Sequence, residues 1–295
     1  MNWLIYGGHG WIGKQIVKFL KVDETNVINT PTTRVDDSVQ VRQDFDQYRP
    51  DRVICCIGRT HGPGYTTIDY LEQEGKLVEN VRDNLFGPLF LANLCRERNL
   101  HLTYMGTGCI FTYDEDHQLN ETSVADEMVG FTESDSPNYF DSSYSVVKGF
   151  TDRLMQQYSD AVLNVRIRMP ITHRDEPRNF ISKITRYAKI CSVPNSMTVL
   201  DELLPIMLQM AAERVTGAIN LTNPGVISHN EILEMYQTKV DPTFTWENFS
   251  VEEQRKILSA GRSNNLLDTT KLQAFAPQVK SIHQAIAKTL DDWQK

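Results

Sequence analysis

Seven residues near the start of the chain, Gly7-Gly8-His9-Gly10-Trp11-Ile12-Gly13, restrict its fold more than any other stretch. They follow a short apolar run, Trp3 to Tyr6, and precede Lys14 to Lys21, where Ile16, Val17, Phe19 and Leu20 carry a helical apolar pattern. Strand, glycine turn and helix in that order open a parallel α/β sheet. Gly7, Gly10 and Gly13 fit G-x-x-G-x-x-G, in which missing side chains permit a tight turn and close backbone approach. The N-terminus of the following helix suits a pyrophosphate, so Gly7, Gly10, Trp11, Ile12 and Gly13 are expected to cradle a dinucleotide.

The next strand, Asn26 to Asn29, leads to Thr30-Pro31-Thr32-Thr33-Arg34. An NAD-binding unit normally sets an acidic residue there against the ribose 2'-hydroxyl. Arg34 suits a 2'-phosphate instead, which favours NADPH over NADH, with Asp36 or Asp37 as the competing ribose acceptor. Asp44 and Phe45 are expected where a third strand approaches the adenine. Val53 to Gly58 is an almost continuously apolar run, the pattern of a buried parallel strand, so Cys56, Ile57, Gly58 and Arg59 should border the cofactor. Ile68 to Arg98 reads as helical, broken at Asn84-Leu85-Phe86-Gly87-Pro88. The strand Leu102 to Met105 delivers Thr107 and Cys109 just past its end. The polar, acidic stretch from Asp114 to Asp141 is expected to be a mobile surface loop and a candidate to close over substrate.

Tyr144-Ser145-Val146-Val147-Lys148 places a tyrosine and a lysine on one face of a helix. An ammonium close to a phenol should lower its pKa from about 10 and make it an acid/base for a carbonyl oxygen. Thr107 and Cys109 should point towards the same pocket. After the strand Val162 to Arg168, Pro170 and Ile171 are expected to line the nicotinamide pocket. Asn179 to Ala188 reads as a basic helix carrying Lys183, and Asp201 to Ala212 and His229 to Gln237 as two more.

The 295 residues allow two lobes. A Rossmann-type doubly wound parallel sheet is expected over 1–168, and a smaller, mainly substrate-binding lobe over 169–295. No clean linker separates them, so the lobes should be interleaved. A net charge of -8 disfavours a nucleic-acid or anionic-membrane surface. No stretch reaches transmembrane length and the start does not read as a signal peptide, so a cytoplasmic protein is expected. Five cysteines in no metal-ligand spacing argue for reduced thiols and no metal.

One chemistry joins these parts. A nicotinamide at Gly7 to Gly13 would carry hydride, Tyr144 would protonate the oxygen of a reduced carbonyl, and Thr107 would give that oxygen a second hydrogen bond. Lys148 would hold the ribose and bias the tyrosine. Together they resemble the catalytic set of the short-chain dehydrogenases/reductases, with the glycine spacing of the extended branch. Cys109 adds another function, since a thiol there suits abstraction of a proton α to a ketone. Inversion then needs a different acid, for which Lys183, or less favourably His173, is the candidate. As structural readings, Cys109 is a small buried hydrophobe and Lys183 a solvated helix face.

Longer runs carry a more specific resemblance: Tyr6-Gly7 through Gly13, Thr107 to Phe111, Tyr144 with Lys148, Arg168 to Ile171, Arg178 to Lys183, Pro194 to Pro205, Asn223 to Val226, Ser228 to Glu231 and Arg262 to Asn265. On these the chain resembles, over nearly its whole length, the bifunctional nucleotide-rhamnose synthase/epimerase-reductase family. The resemblance implies conversion of UDP-4-keto-6-deoxy-glucose to UDP-β-L-rhamnose. It assigns Cys109 and Lys183 to epimerisation at C3 and C5, and Thr107, Tyr144 and Lys148 to reduction at C4. It implies substrate contacts from Thr107, Cys109, Asn179, Phe180, Lys183, Val199, Arg262 and Asn264. GDP-fucose synthases look like a mechanistic relative, with a histidine where this chain has Lys183. His9 and the Thr30 to Arg34 stretch depart from the pattern and bear on cofactor preference. With no dehydratase segment before the glycines, a separate UDP-glucose 4,6-dehydratase is expected to supply the substrate. A homodimer is the candidate assembly. The competing readings are a monofunctional 4-keto-sugar reductase with Cys109 structural, and a silent NADP-binding regulatory subunit.

Overall fold

The computed structural model describes residues 1–118 and 129–294. Its elements run β1 (Asn2–Tyr6), α1 (Trp11–Leu20), β2 (Val27–Asn29), α2 (Ser38–Tyr48), β3 (Arg52–Cys55), α3 (Leu77–Val81), α4 (Gly87–Glu97), β4 (His101–Thr107), α5 (Ser143–Met155), β5 (Val162–Ile167), α6 (Phe180–Ile184), α7 (Leu200–Ala212), β6 (Gly217–Asn220), α8 (His229–Lys239), α9 (Val251–Ile257), α10 (Thr270–Phe275) and α11 (Ile282–Asp291). The strands form one sheet in the order β2-β1-β3-β4-β5-β6. β1 runs parallel to both β2 and β3, and β3 runs parallel to β4. The chain leaves β1 to one side and returns on the other, so the order reverses between β1 and β3. Ligands bind beyond the carboxyl ends of strands at such a reversal. Tyr6 pairs with Cys55, which sets the turn after β1 beside the turn after β3.

Two compact units are built from interleaved segments. The first comprises Met1–Ile110, Tyr139–Arg166 and Leu204–Ile219, and the second Phe111–Asn138, Ile167–Leu203 and Asn220–Lys295. The first unit packs Leu4, Tyr6, Phe45, Val53, Leu91, Leu102 and Tyr104 into its core, as inward-facing strand residues meet the apolar faces of helices. The second packs Ile171, Ile181, Ile184, Met197, Val199, Ile227, Leu233 and Ile286.

Three local readings are corrected. The helical stretch does not break at Asn84 to Pro88, since a π-helical turn over Arg82–Phe86 carries α3 into α4. Pro88 has no N–H for the Asn84 carbonyl, and the Thr151 hydroxyl donates to that carbonyl at 2.8 Å instead. The basic helix expected from Asn179 to Ala188 spans only Phe180–Ile184. Arg186 bonds back through its amide to Lys183 O, a tighter turn, while its guanidinium takes Ser182 O and pairs with Asp175. Asp44 and Phe45 lie within α2 rather than at a strand end.

Of the acidic loop, residues 119–128 lie outside the described residues, so its expected closure over substrate does too. Its described flanks are tied down: Asp114 accepts from the amides of Asp116 and His117 and from Asn138, and His117 stacks on Phe131 at 3.7 Å.

Candidate active site

The glycine turn is built as its spacing predicts. Gly7 adopts φ +81°, a conformation that strains any residue bearing a Cβ. A Cβ on Gly13 would fall 2.1 Å from Gly7 O, so the first turn of α1 folds against the loop only because that side chain is missing. Gly10 caps α1 without a side-chain hydrogen bond, and no acidic residue occupies the first turn. Trp11 and Ile12 are half-buried in that turn. A helix N-terminus with its positive dipole end and no acidic residue in the first turn fits the pyrophosphate of a dinucleotide. Cys56 and Ile57 line the loop, with the Cys56 carbonyl carbon 3.1 Å from where a Gly7 Cβ would lie. Gly58 is exposed, and the Arg59 amide donates to Asn84 Oδ1 at 2.9 Å.

Arg34 stands beyond β2 on an open depression of about 670 Å³ lined also by Thr32, Thr33, Asp36, Asp37, Ser38 and Gln40. It is half-exposed and paired with Asp36 at 2.9 Å and Asp83 at 2.8 Å. Asp37 is committed to capping α2, accepting from the Gln40 amide. Asp44 and Phe45 do not reach this depression. Asp44 is buried and accepts from the Tyr6 hydroxyl, and Phe45 stacks on the Tyr6 ring, because both face inward from α2.

Thr107, Cys109, Tyr144 and Lys148 converge within the first unit. Thr107 is the last residue of β4, and its hydroxyl accepts from the Cys109 amide at 3.1 Å while also bonding Tyr144. Ser142 caps α5 through the Ser145 amide, and Ser145 Oγ donates to Cys109 O at 2.7 Å, pinning the loop after β4 to the first turn of α5. Tyr144 packs with Tyr70, Leu71, Ile68 and Cys109. Burial pushes its phenol well up, and negative charge on Cys109 would push it further, against the opposing hydrogen bond from Thr107. Tyr144 therefore enters neutral solution as a proton-carrying phenol.

The expected contact between Lys148 and Tyr144 is not the one formed. Lys148 is 4% exposed, and its ammonium donates to the Tyr104 hydroxyl on β4. A buried ammonium needs an acceptor, and the neighbouring strand supplies one. Burial lowers Lys148 to about 8, opposed by attraction to Cys55, Asp152 and Cys109. Tyr104 went unnoticed in the sequence, where it reads as one more apolar strand residue. Its only sequence signal is a hydroxyl at an otherwise buried position.

The residues nominated in the second unit divide. Lys183 lies on α6, and among the described residues its ammonium has no hydrogen-bond acceptor. Burial and the charges of Arg178 and Arg262 lower its pKa. Phe180 is half-buried and edge-on to His229 at 5.2 Å. Asn179 is fully buried and committed to structure, capping α6 at the Ile181 amide and donating to Thr172 O and Arg174 O. Val199 and Ile171 belong to the core, joined by a β-bridge, and the Pro170 carbonyl accepts from Phe180. Burial takes the side chains of Asn179, Val199 and Ile171 out of the contact set. His173 is held by Asp201 at 2.8 Å. Asn264 Oδ1 accepts from Asn195, and Arg262 donates to Ala260 O. Arg168, one residue past β5, bonds Asn195 Oδ1 and both the hydroxyl and carbonyl of Ser263, so the runs around 168, 195 and 263 form one buried knot. That framework role was missed because residues distant in sequence share it.

Residues 1–202 match the RmlD substrate binding domain family. The chain belongs to that family. The crystal structure of the L780 UDP-rhamnose synthase from Acanthamoeba polyphaga mimivirus is 53% identical in sequence, with a TM-score of 0.94 covering 99% of each chain. The bifunctional dTDP-4-dehydrorhamnose 3,5-epimerase/dTDP-4-dehydrorhamnose reductase of Arabidopsis thaliana is 44% identical over 97% of this chain and 91% of its own. At 18% identity, the dTDP-4-dehydrorhamnose reductase from Yersinia enterocolitica shares the fold, with a TM-score of 0.79 over 99% of each chain. These RmlD-family relatives place the chain on the short-chain dehydrogenase/reductase fold. Among the described residues no helix is long and apolar enough to cross a membrane.

Proposed function

We propose that the chain is an enzyme that converts UDP-4-keto-6-deoxy-D-glucose to UDP-β-L-rhamnose by 3,5-epimerisation followed by NADPH-dependent reduction of the C4 ketone. The observation that supports this reading is the Thr107 hydroxyl, which bonds Tyr144 and the Cys109 amide, together with the packing of Cys109 against Tyr144. A plain reductase has no use for the thiol.

Epimerisation comes first, because only the C4 ketone makes the neighbouring C–H bonds acidic. The Cys109 thiolate removes the proton from the carbon α to the ketone, and the electron pair moves onto the C4 oxygen. Thr107 and Tyr144 hydrogen-bond that oxygen as charge develops. Inversion requires a proton to return to the opposite face of the ring, and Lys183 is the proposed donor. Its lowered pKa makes it the readier acid. The same pair serves C3 and C5 in turn, Cys109 releasing its proton to solvent and Lys183 taking one up from solvent between the two inversions. Bound at Gly7 to Gly13, NADPH would supply the hydride that reduces C4. Tyr144 gives its phenolic proton to the C4 oxygen, and Lys148 steadies the charge around it.

Gly7, Gly10, Trp11, Ile12 and Gly13 would hold the pyrophosphate, Cys56 to Arg59 would flank the cofactor, and Arg34 would meet the 2'-phosphate. Phe180, Arg262 and Asn264 remain the proposed substrate contacts beside Lys183. A 4,6-dehydratase acting on UDP-glucose supplies the keto sugar. A trifunctional Arabidopsis thaliana relative names that dehydratase among its activities and is 42% identical over 98% of this chain and 41% of its own. The cytoplasm is the proposed setting.

The test is to incubate purified protein with UDP-4-keto-6-deoxy-glucose and NADPH in deuterated water and read the sugar by NMR. Deuterium at C3 and C5 of UDP-rhamnose is the expected outcome. A 4-reduced sugar without ring deuterium would leave a monofunctional reductase.

A further inference from the structure

We infer that Tyr104 is a positioning residue for Lys148: its hydroxyl accepts from the ammonium, so that a second buried tyrosine fixes where the catalytic lysine sits and whether it is charged. Lys148 Nζ lies 4.6 Å from the Tyr104 ring centroid as well as donating to its oxygen. Nζ therefore lies off the hydroxyl end of the ring, and a hydroxyl lone pair turned to a cation favours the charged form over the neutral amine. Tyr104 itself is 1% exposed in the middle of β4, so its ring has no freedom to turn away.

The groups facing this ammonium come from three directions. β4 contributes Tyr104, β3 contributes Cys55, and α5 with the loop before it contributes Asp152 and Cys109. Tyr144, from the same helix, faces Tyr104 and adds to its upward pKa shift. Asp152 is the one full negative charge among them, and it is already committed, accepting from Arg166 at 2.9 and 2.7 Å and from Asn164 at 2.7 Å. Arg166 is fully buried, so this carboxylate is largely neutralised before it reaches Lys148. Cys55 is held protonated by burial, which pushes its thiol up to about 11. The direct and uncompensated acceptor is therefore the Tyr104 oxygen. Its own phenol is pushed far up by burial, so it stays a neutral acceptor throughout the range in which Lys148 titrates.

From the proposed reaction this takes only the importance of Lys148, and its readout is the charge of Lys148 itself. The full chain is labelled with ¹³Cε-lysine and its Cε shift is followed by NMR against pH. The Lys148 signal is assigned by its loss in Lys148→Met. A midpoint near 8 is expected in the parent chain. In Tyr104→Phe, which keeps the ring and removes only the hydroxyl, the midpoint should fall by about one pH unit, the effect of one lost hydrogen bond to a charge. NADPH affinity should then weaken at pH 7.5 and recover at pH 6.5. An unchanged midpoint with only a lower melting temperature would overturn the inference and leave Tyr104 a packing residue. Should Tyr104→Phe not fold, the parent chain still decides, because an ammonium held by the Tyr104 hydroxyl must bring the Lys148 Hε protons close enough to the Tyr104 ring protons to give an NOE between them. Absence of that NOE would sink the idea. Neither result depends on turnover, so the epimerase/reductase reading stands or falls separately in the deuterium experiment.

Discussion

In the first unit, four of the five side chains nominated for catalysis meet, while the fifth, Lys183, belongs to the second unit. Thr107 ends a strand, Cys109 follows two residues later, and Tyr144 and Lys148 lie on α5; hydrogen bonds among Thr107, Tyr144, Ser145 and the Cys109 backbone tie the first three, and Lys148 is held by Tyr104. In the second unit, the side chains nominated for substrate contact scatter between two fates. Lys183 keeps an ammonium without an acceptor among the described residues, but Asn179 and Val199 are buried and occupied. Catalytic groups in a doubly wound sheet lie where strands end, a position fixed by topology. Substrate contacts drawn from long matching runs come mixed with the framework that holds those runs in place. A match over many residues thus identifies a family better than it identifies which residues touch the ligand.

The sharpest way to break this comparison is inside the first cluster. Cys109→Ala should lose deuterium incorporation and rhamnose formation by about 10²- to 10⁴-fold while NADPH binding is kept. Tyr144→Phe should lose C4 reduction by a similar factor and retain measurable exchange at the ring carbons. Ordinary rhamnose output from the Cys109 variant would remove the thiol from the mechanism. In the second unit, Lys183→Met should cost about 10²-fold in epimerisation with an unchanged melting temperature. Asn179→Ala should do the reverse, losing about 2 kcal/mol of stability through a lost cap and stranded carbonyls. A stable Asn179 variant defective only in substrate affinity would restore it as a contact.

A smaller effect is expected at the cradle. Gly13→Ala should weaken NADPH binding roughly tenfold by opening the first turn of α1, as measured by fluorescence titration, because its Cβ cannot share space with Gly7 O. The smallest concerns Arg34, which already answers to Asp36 and Asp83. Arg34→Ala should narrow the preference for NADPH over NADH by only a few-fold, read as the ratio of the two dissociation constants. A collapse of NADPH binding there would mean that the two carboxylates release the guanidinium to the cofactor.

The cradle was legible because glycine is informative by what it lacks: three spaced absences between a strand and a helix admit few structures. The Tyr144 and Lys148 pair was legible as a face of α5, yet its partner was not. Helical spacing states which side chains share a face and nothing about the strand packed against it, so Lys148 was given to Tyr144 when it belongs to Tyr104. Asp44 and Phe45 show the same gap, since a short polar segment with little periodicity was read as a strand approach and is a capped helix.

Local chemistry alone therefore determined the order of strands and helices, the glycine turn, and the residue types able to move a hydride and protons. Only the tertiary structure decided which buried polar atoms answer one another, as Tyr104 with Lys148, Thr107 with Cys109, and Arg168 with Asn195 and Ser263. A buried donor must find an acceptor wherever the fold brings one near, and that proximity is set by the packing of segments distant in the chain.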